Sequence, residues 1–109
     1  MRLTRIVPLL VLAVLTLVLA ARGAGGQKHT VSIDSGKFSP ATLTIKAGDT
    51  VVWTNNDDHD HSISAGDGSF KSGNLSGGQA FEHTFTKAGK YTYTCAYHPR
   101  ERGTIIVTQ

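Results

Sequence analysis

Past residue 28 the chain alternates apolar and polar side chains in short runs, each ended by Gly, Asn or Asp. An alternation of period two puts every second side chain on one face of a strand. In HTVSID the shared face carries Val31 and Ile33, and in ATLTIKAGD it carries Leu43 and Ile45. TVVWTNN sets Val51, Trp53 and Asn55 together, AFEHTFTKAG sets Phe81, His83 and Phe85, and KYTYTCA sets Tyr91, Tyr93 and Cys95. GTIIVT supplies the last strand. No stretch has helical periodicity of useful length. Short strands at this spacing predict an all-β, Greek-key β-sandwich. The glycine-rich DGSFKSGNLSGGQ reads as a long connection with at most one short strand around Phe70.

The first part of the chain obeys a different pattern. Arg2 and Arg5 precede an unbroken apolar run from Ile6 to Ala21, and small residues follow in RGAGG. That is the layout of a secretory signal peptide, and the run is short for a membrane span, which needs about 20 apolar residues. Residues 1–26 are therefore expected to be signal and processing region, and residues 27–109 the folded domain. Cleavage after Ala20 or after Gly26 presents small residues to a peptidase. The formal charge of +3 falls to +1 in the first case and to zero in the second. The basic balance belongs to the targeting segment, and nothing that remains resembles the basic stripe of a nucleic-acid binder. The expected mature protein is periplasmic or extracellular, monomeric, and without stable membrane insertion.

About 85 residues support one small domain with a modest core. An exported domain of that size commonly uses disulfides, but this chain has a single cysteine, Cys95. It lies in TCAYHPRERG, with His98 three positions on and Glu101 three positions after that. The alternation that turns Tyr91 and Tyr93 into the core also turns Cys95 inward, at the end of its strand. A thiolate with two imidazoles and a weak axial donor suits copper that exchanges one electron. Cys95 and His98 flank a two-residue gap, with Pro99 stiffening the chain just after the histidine, and can share an ion. The second imidazole must come from elsewhere, and NNDDHDHSIS offers His59 and His61.

GDTVVWTNNDDHDHSISAGDGSF and FTKAGKYTYTCAYHPRERGTIIV closely resemble small bacterial blue-copper proteins of the cupredoxin family, in the amicyanin and plastocyanin branch. The resemblance spans nearly all of the expected domain. It implies a mononuclear copper site with His61 as the distant ligand, eight residues after Trp53, and Ser62 hydrogen-bonded into the cysteine loop. In that branch the segment reads C-x-x-H-P-x-M with an axial methionine, whereas this chain places Glu101 there. Glu101 has three readings: an axial oxygen donor that favours Cu(II), a carboxylate turned to solvent toward Arg100 or Arg102, or a ligand in a zinc site. In the second reading the carbonyl of Asp60 stands at long range.

Simpler roles account for the other candidates. His83 alternates with two phenylalanines and reads as a core or groove-lining residue. Asp57, Asp58 and Asp60 read as a solvated turn, or in a sharper reading as an acidic rim. Cleavage after Gly26 would expose Gln27-Lys28-His29, whose amine, amides and imidazole can form a square-planar Cu(II) site. A Cys–His nucleophile needs an orienting group and an oxyanion site, which so short a loop does not supply. The expected protein is not an enzyme but a one-electron carrier holding copper at His61, Cys95, His98 and Glu101, serving redox partner proteins. In the alternative it stores, delivers or senses copper without shuttling electrons.

Overall fold

The computed structural model describes residues 25–109; of the expected signal and processing region, 1–26, residues 1–24 lie outside the described residues. Eight strands follow in order: β1 (Lys28–Asp34), β2 (Lys37–Ser39), β3 (Thr42–Lys46), β4 (Thr50–Asn55), β5 (Ser64–Ala65), β6 (Ala80–Thr84), β7 (Gly89–Thr94) and β8 (Arg102–Thr108). They form two four-stranded sheets, ordered β2-β1-β4-β6 and β3-β8-β7-β5.

Each expected strand is present. Alternation placed their inner faces well: Val31, Ile33, Val51, Trp53 and Asn55 are fully buried, and Ile45, Phe85, Tyr93 and Cys95 nearly so. Leu43, Phe81 and Tyr91 are partly buried against this core. Two short strands, β2 and β5, had no pattern long enough to be read. Phe70 lies in the long connection yet is buried, and it stacks on Trp53 with ring centroids 5.6 Å apart. Trp53 also meets Phe81, Phe85 and Tyr93, so one indole ties the two sheets together. Truncating a buried aromatic of this kind costs about 3–5 kcal/mol.

The pairing is mixed. β1 runs parallel to β4 and β3 parallel to β8, because between the members of each pair the chain leaves their sheet for the other and returns. Asp49 pins the crossover that enters β4. It accepts hydrogen bonds from Gln27 N at 2.9 Å and Lys46 N at 3.1 Å, and its other contact is His29 Nε2 at 2.9 Å. The His29 bond, then the two amides, hold its carboxyl down at about 2, against the opposing effect of burial. His29 is thus committed to a strand and to a structural carboxylate, an arrangement at odds with its use in a square-planar metal site. This cluster lies at the start of β4. The loops that follow β4 and β7 meet at the other end.

Candidate metal centre

Two segments bring the site together. β4 ends at Asn55, whose side-chain amide donates to His59 O at 2.8 Å and Leu75 O at 2.9 Å. Beyond it, His61 and Leu75 exchange backbone hydrogen bonds of 3.0 and 2.8 Å, which fixes the histidine backbone against the long connection. The second segment follows β7. His98 N donates to Cys95 O at 3.2 Å, and Glu101 N donates to His98 O at 2.9 Å. Two successive turns of three residues therefore bring the side chains of residues 95, 98 and 101 to one side of the loop. Gly103 then opposes Tyr93 in the β7–β8 pair.

Ser62 joins the halves. Its amide donates to Cys95 Sγ at 3.3 Å, and its hydroxyl accepts from Ala96 N at 2.8 Å. The resemblance implied a bond from this residue into the cysteine loop, and the structure contains it.

His61 Nδ1 lies 3.9 Å from Cys95 Sγ, and His98 Nδ1 lies 3.8 Å from the same sulfur. Both separations are long for hydrogen bonds. They match two ligands of one ion: with metal–sulfur about 2.3 Å and metal–nitrogen about 2.0 Å, a trigonal arrangement separates S from N by roughly 3.7 Å. Glu101 places Oε1 3.1 Å from His61 Nδ1 and Oε2 3.2 Å from His98 Nδ1. One ligand atom from each of these four residues falls within 4.8 Å of the others. Glu101 is turned inward, with its side chain 10% exposed, rather than out toward Arg100 or Arg102.

The electrostatics suit a cation. Burial raises the Cys95 thiol, but the neighbouring His98 ring, the hydrogen bond from the Ser62 amide and the His61 ring outweigh it and bring the thiol down from 9.0 to about 7. A thiolate is the form that binds metal. For His61 burial works downward, yet the nearby Cys95 sulfur, the hydrogen bond to Asp57 and the charge of Glu101 hold the imidazole above its ordinary value. His61 and Cys95 are each 1% exposed, whereas the His98 side chain is 48% exposed. Beside His98 lies a groove of about 510 Å³ bordered by Gly36, Lys37, Tyr97, Pro99, Arg100 and Glu101.

The remaining candidates lie elsewhere. His59 is exposed and faces Asp58 at 3.6 Å. His83 stacks on Phe70 with centroids 5.0 Å apart, and burial lowers its basicity. The expectation of a solvated turn holds for Asp58 and Asp60 and fails for Asp57. Asp57 is 12% exposed and meets His61 Nε2 at 2.8 Å, because the β1–β2 turn folds over it. Four residues separate it from His61, a signal present in the sequence; the turn that covers it is more than 20 residues away.

A model of the cupredoxin-like domain matches residues 7–107. Amicyanin of Paracoccus versutus is 34% identical over 93 residues, covering 81% of this chain and 70% of that protein. The solved structure of a novel purple cupredoxin from Nitrosopumilus maritimus is 34% identical with a TM-score of 0.67, covering 72% of this chain and 98% of that one. A methionine-to-alanine variant of amicyanin, solved in a Cu(I) form, is 36% identical with a TM-score of 0.68, covering 72% and 79%.

Proposed function

Because this chain belongs to the cupredoxin-like family, we propose that it is an exported one-electron carrier whose copper would be held by His61, Cys95 and His98, with Glu101 as a further oxygen donor. The observation that carries the reading is the pair of sulfur-to-nitrogen distances, 3.9 and 3.8 Å, around a buried cysteine. Copper in such a site supplies one-electron exchange between two oxidation states.

The protein's own residues do the rest. Ser62 and the paired His61–Leu75 backbone fix two donors before any ion arrives, so little rearrangement accompanies a change of charge. Burial of Cys95 and His61 keeps water from the sulfur and the inner imidazole. His98 is the exposed donor, and its ring would give electrons their route to a redox partner resting on Tyr97 and Pro99. A small surface of this kind suits brief encounters. Glu101 replaces a soft donor with a hard anion, which favours Cu(II), lowers the reduction potential and moves the colour away from pure blue. The purple cupredoxin among the similar structures is in keeping with a departure of that kind.

The basic and apolar start of the sequence supports export to the periplasm or beyond, with residues 27–109 as the working domain. Two of the donors are enclosed, which favours a carrier over a module that hands copper on. Voltammetry of the purified copper protein tests the proposal. A reversible one-electron wave is expected; transfer of the metal to an acceptor protein without redox change would establish delivery instead.

A further inference from the structure

Resting on that copper centre, we infer that Asp57 is the positioning residue that sets the proton, orientation and donor strength of His61, and that the β1–β2 turn sets Asp57 in its place. Both oxygens of this carboxylate are held. Oδ1 accepts from Ser35 N at 2.8 Å, and Oδ2 accepts from Gly36 N at 3.1 Å while meeting His61 Nε2 at 2.8 Å. Ser35 and Gly36 have φ of +52° and +71°, so the turn presents two consecutive amides to one side chain. These two amide bonds, from Ser35 and Gly36, hold one oxygen each and fix the plane of the carboxylate.

The backbone of Asp57 is also fixed, because its amide donates to Asn55 Oδ1 at 2.9 Å. Asn55 is fully buried at the end of β4 and bonds onward to His59 O and Leu75 O. The carboxylate therefore cannot follow the ring; the ring must follow the carboxylate. With its Nε2 proton committed to Asp57, His61 would keep Nδ1, the nitrogen that faces Cys95 and Glu101, free to bind the ion.

The same turn reaches the other side of the site. A Cβ built on Gly36 would lie 3.2 Å from Glu101 Oε2, so residues 35–36 close over the axial carboxylate as well as anchoring Asp57. A metal-bound imidazole that donates its second N–H to a carboxylate is a stronger donor, and loss of such an outer partner typically weakens metal binding about 10- to 100-fold. A stronger donor favours the more highly charged ion. Asp57 thus acts on the metal through His61 while it is itself held by a turn that precedes the histidine by some 25 residues of chain. A carboxylate that only braced the turn would affect stability and leave the metal unchanged.

The test compares wild type with Asp57→Ala and Asp57→Asn. The asparagine variant keeps an oxygen for His61 and Gly36 but removes the charge. Copper(II) and zinc affinities are measured by competition with a chelator, the potential by voltammetry, and the His61 proton by nitrogen-15 NMR of metal-free protein in alkaline solution. Asp57→Ala is expected to lose about 10- to 100-fold in both affinities, raise the potential, and mix the His61 tautomers. Asp57→Asn is expected to keep the Nε2–H tautomer and still raise the potential. Wild-type affinities, potential and tautomer in Asp57→Ala would overturn the inference. Should that variant not fold, an unchanged potential and affinity in Asp57→Asn would do so. Failure of wild type to form a copper–thiolate centre would refute the functional proposal, while the metal-free tautomer measurement would still decide the role of Asp57.

Discussion

The amide of Ser62 points at the sulfur of Cys95 from 3.3 Å, while the Ser62 hydroxyl accepts the amide of Ala96 at 2.8 Å. One residue thereby clamps the loop that follows β7 to the loop that follows β4. Ser62→Ala leaves the Ala96 amide without its partner. The Ala96 residue is exposed and the bond part-buried, so its loss costs about the net 0.5–1.5 kcal/mol of an ordinary hydrogen bond. Denaturant unfolding of the metal-free protein is expected to show a loss in that range, together with faster copper release to a chelator.

Glu101 stands between two imidazoles, 3.1 and 3.2 Å from their Nδ1 atoms. Exchanging this hard anion for a thioether in Glu101→Met removes a preference for Cu(II). The reduction potential is expected to rise by on the order of 100 mV, since about 59 mV corresponds to a tenfold change for one electron. An unchanged potential and spectrum would mean that the carboxylate does not reach the metal.

Gly103 faces Tyr93 so closely that an added Cβ would lie 2.1 Å from Tyr93 Cζ. Gly103→Ala must displace a fully enclosed ring, and overpacking of this sort costs about 1–3 kcal/mol or more. The Tyr93 hydroxyl behaves differently. It is buried without a hydrogen-bond partner of good geometry, as is Trp53 Nε1, and burial raises the phenol to about 12. Tyr93→Phe is expected to leave stability unchanged or raise it, because it removes an unsatisfied polar atom. Chemical denaturation of both variants checks the pair.

Acid sensitivity is expected from the far end of the sandwich. Asp49 titrates at about 2 in the folded protein, below the ordinary aspartate value of about 3.9. A depressed acid stabilises the fold above its unfolded value, and this contribution is lost as pH falls from about 4 through about 2. Thermal unfolding of metal-free protein should show the wild type losing stability in that window. Asp49→Asn is expected to be less stable near neutrality and flatter on the acid side.

Alternation alone made most of the fold legible. Trp53, Asn55 and Tyr93 were assigned inward by position, and each is buried. The three-residue steps between Cys95, His98 and Glu101 were equally legible, because successive turns within one loop need no distant partner. His61 was separable from His59 only through the family resemblance, since two histidines in one polar loop carry no periodicity. Partners far away in the chain escaped. The parallel register of β1 with β4, the burial of Phe70 inside a polar connection, and the turn at Ser35 and Gly36 that encloses Asp57 all depend on how the sheets stack. A sequence of alternating strands does not state that stacking.

The shared grip of residues 61, 95 and 98 on one ion is tested most directly by the absorption spectrum of the mature protein titrated with Cu(II), alongside Cys95→Ser. An intense thiolate-to-copper charge-transfer band that saturates at one equivalent in the wild type and is absent from the variant is the predicted result. A colourless wild-type adduct, or an equal band in Cys95→Ser, would contradict it.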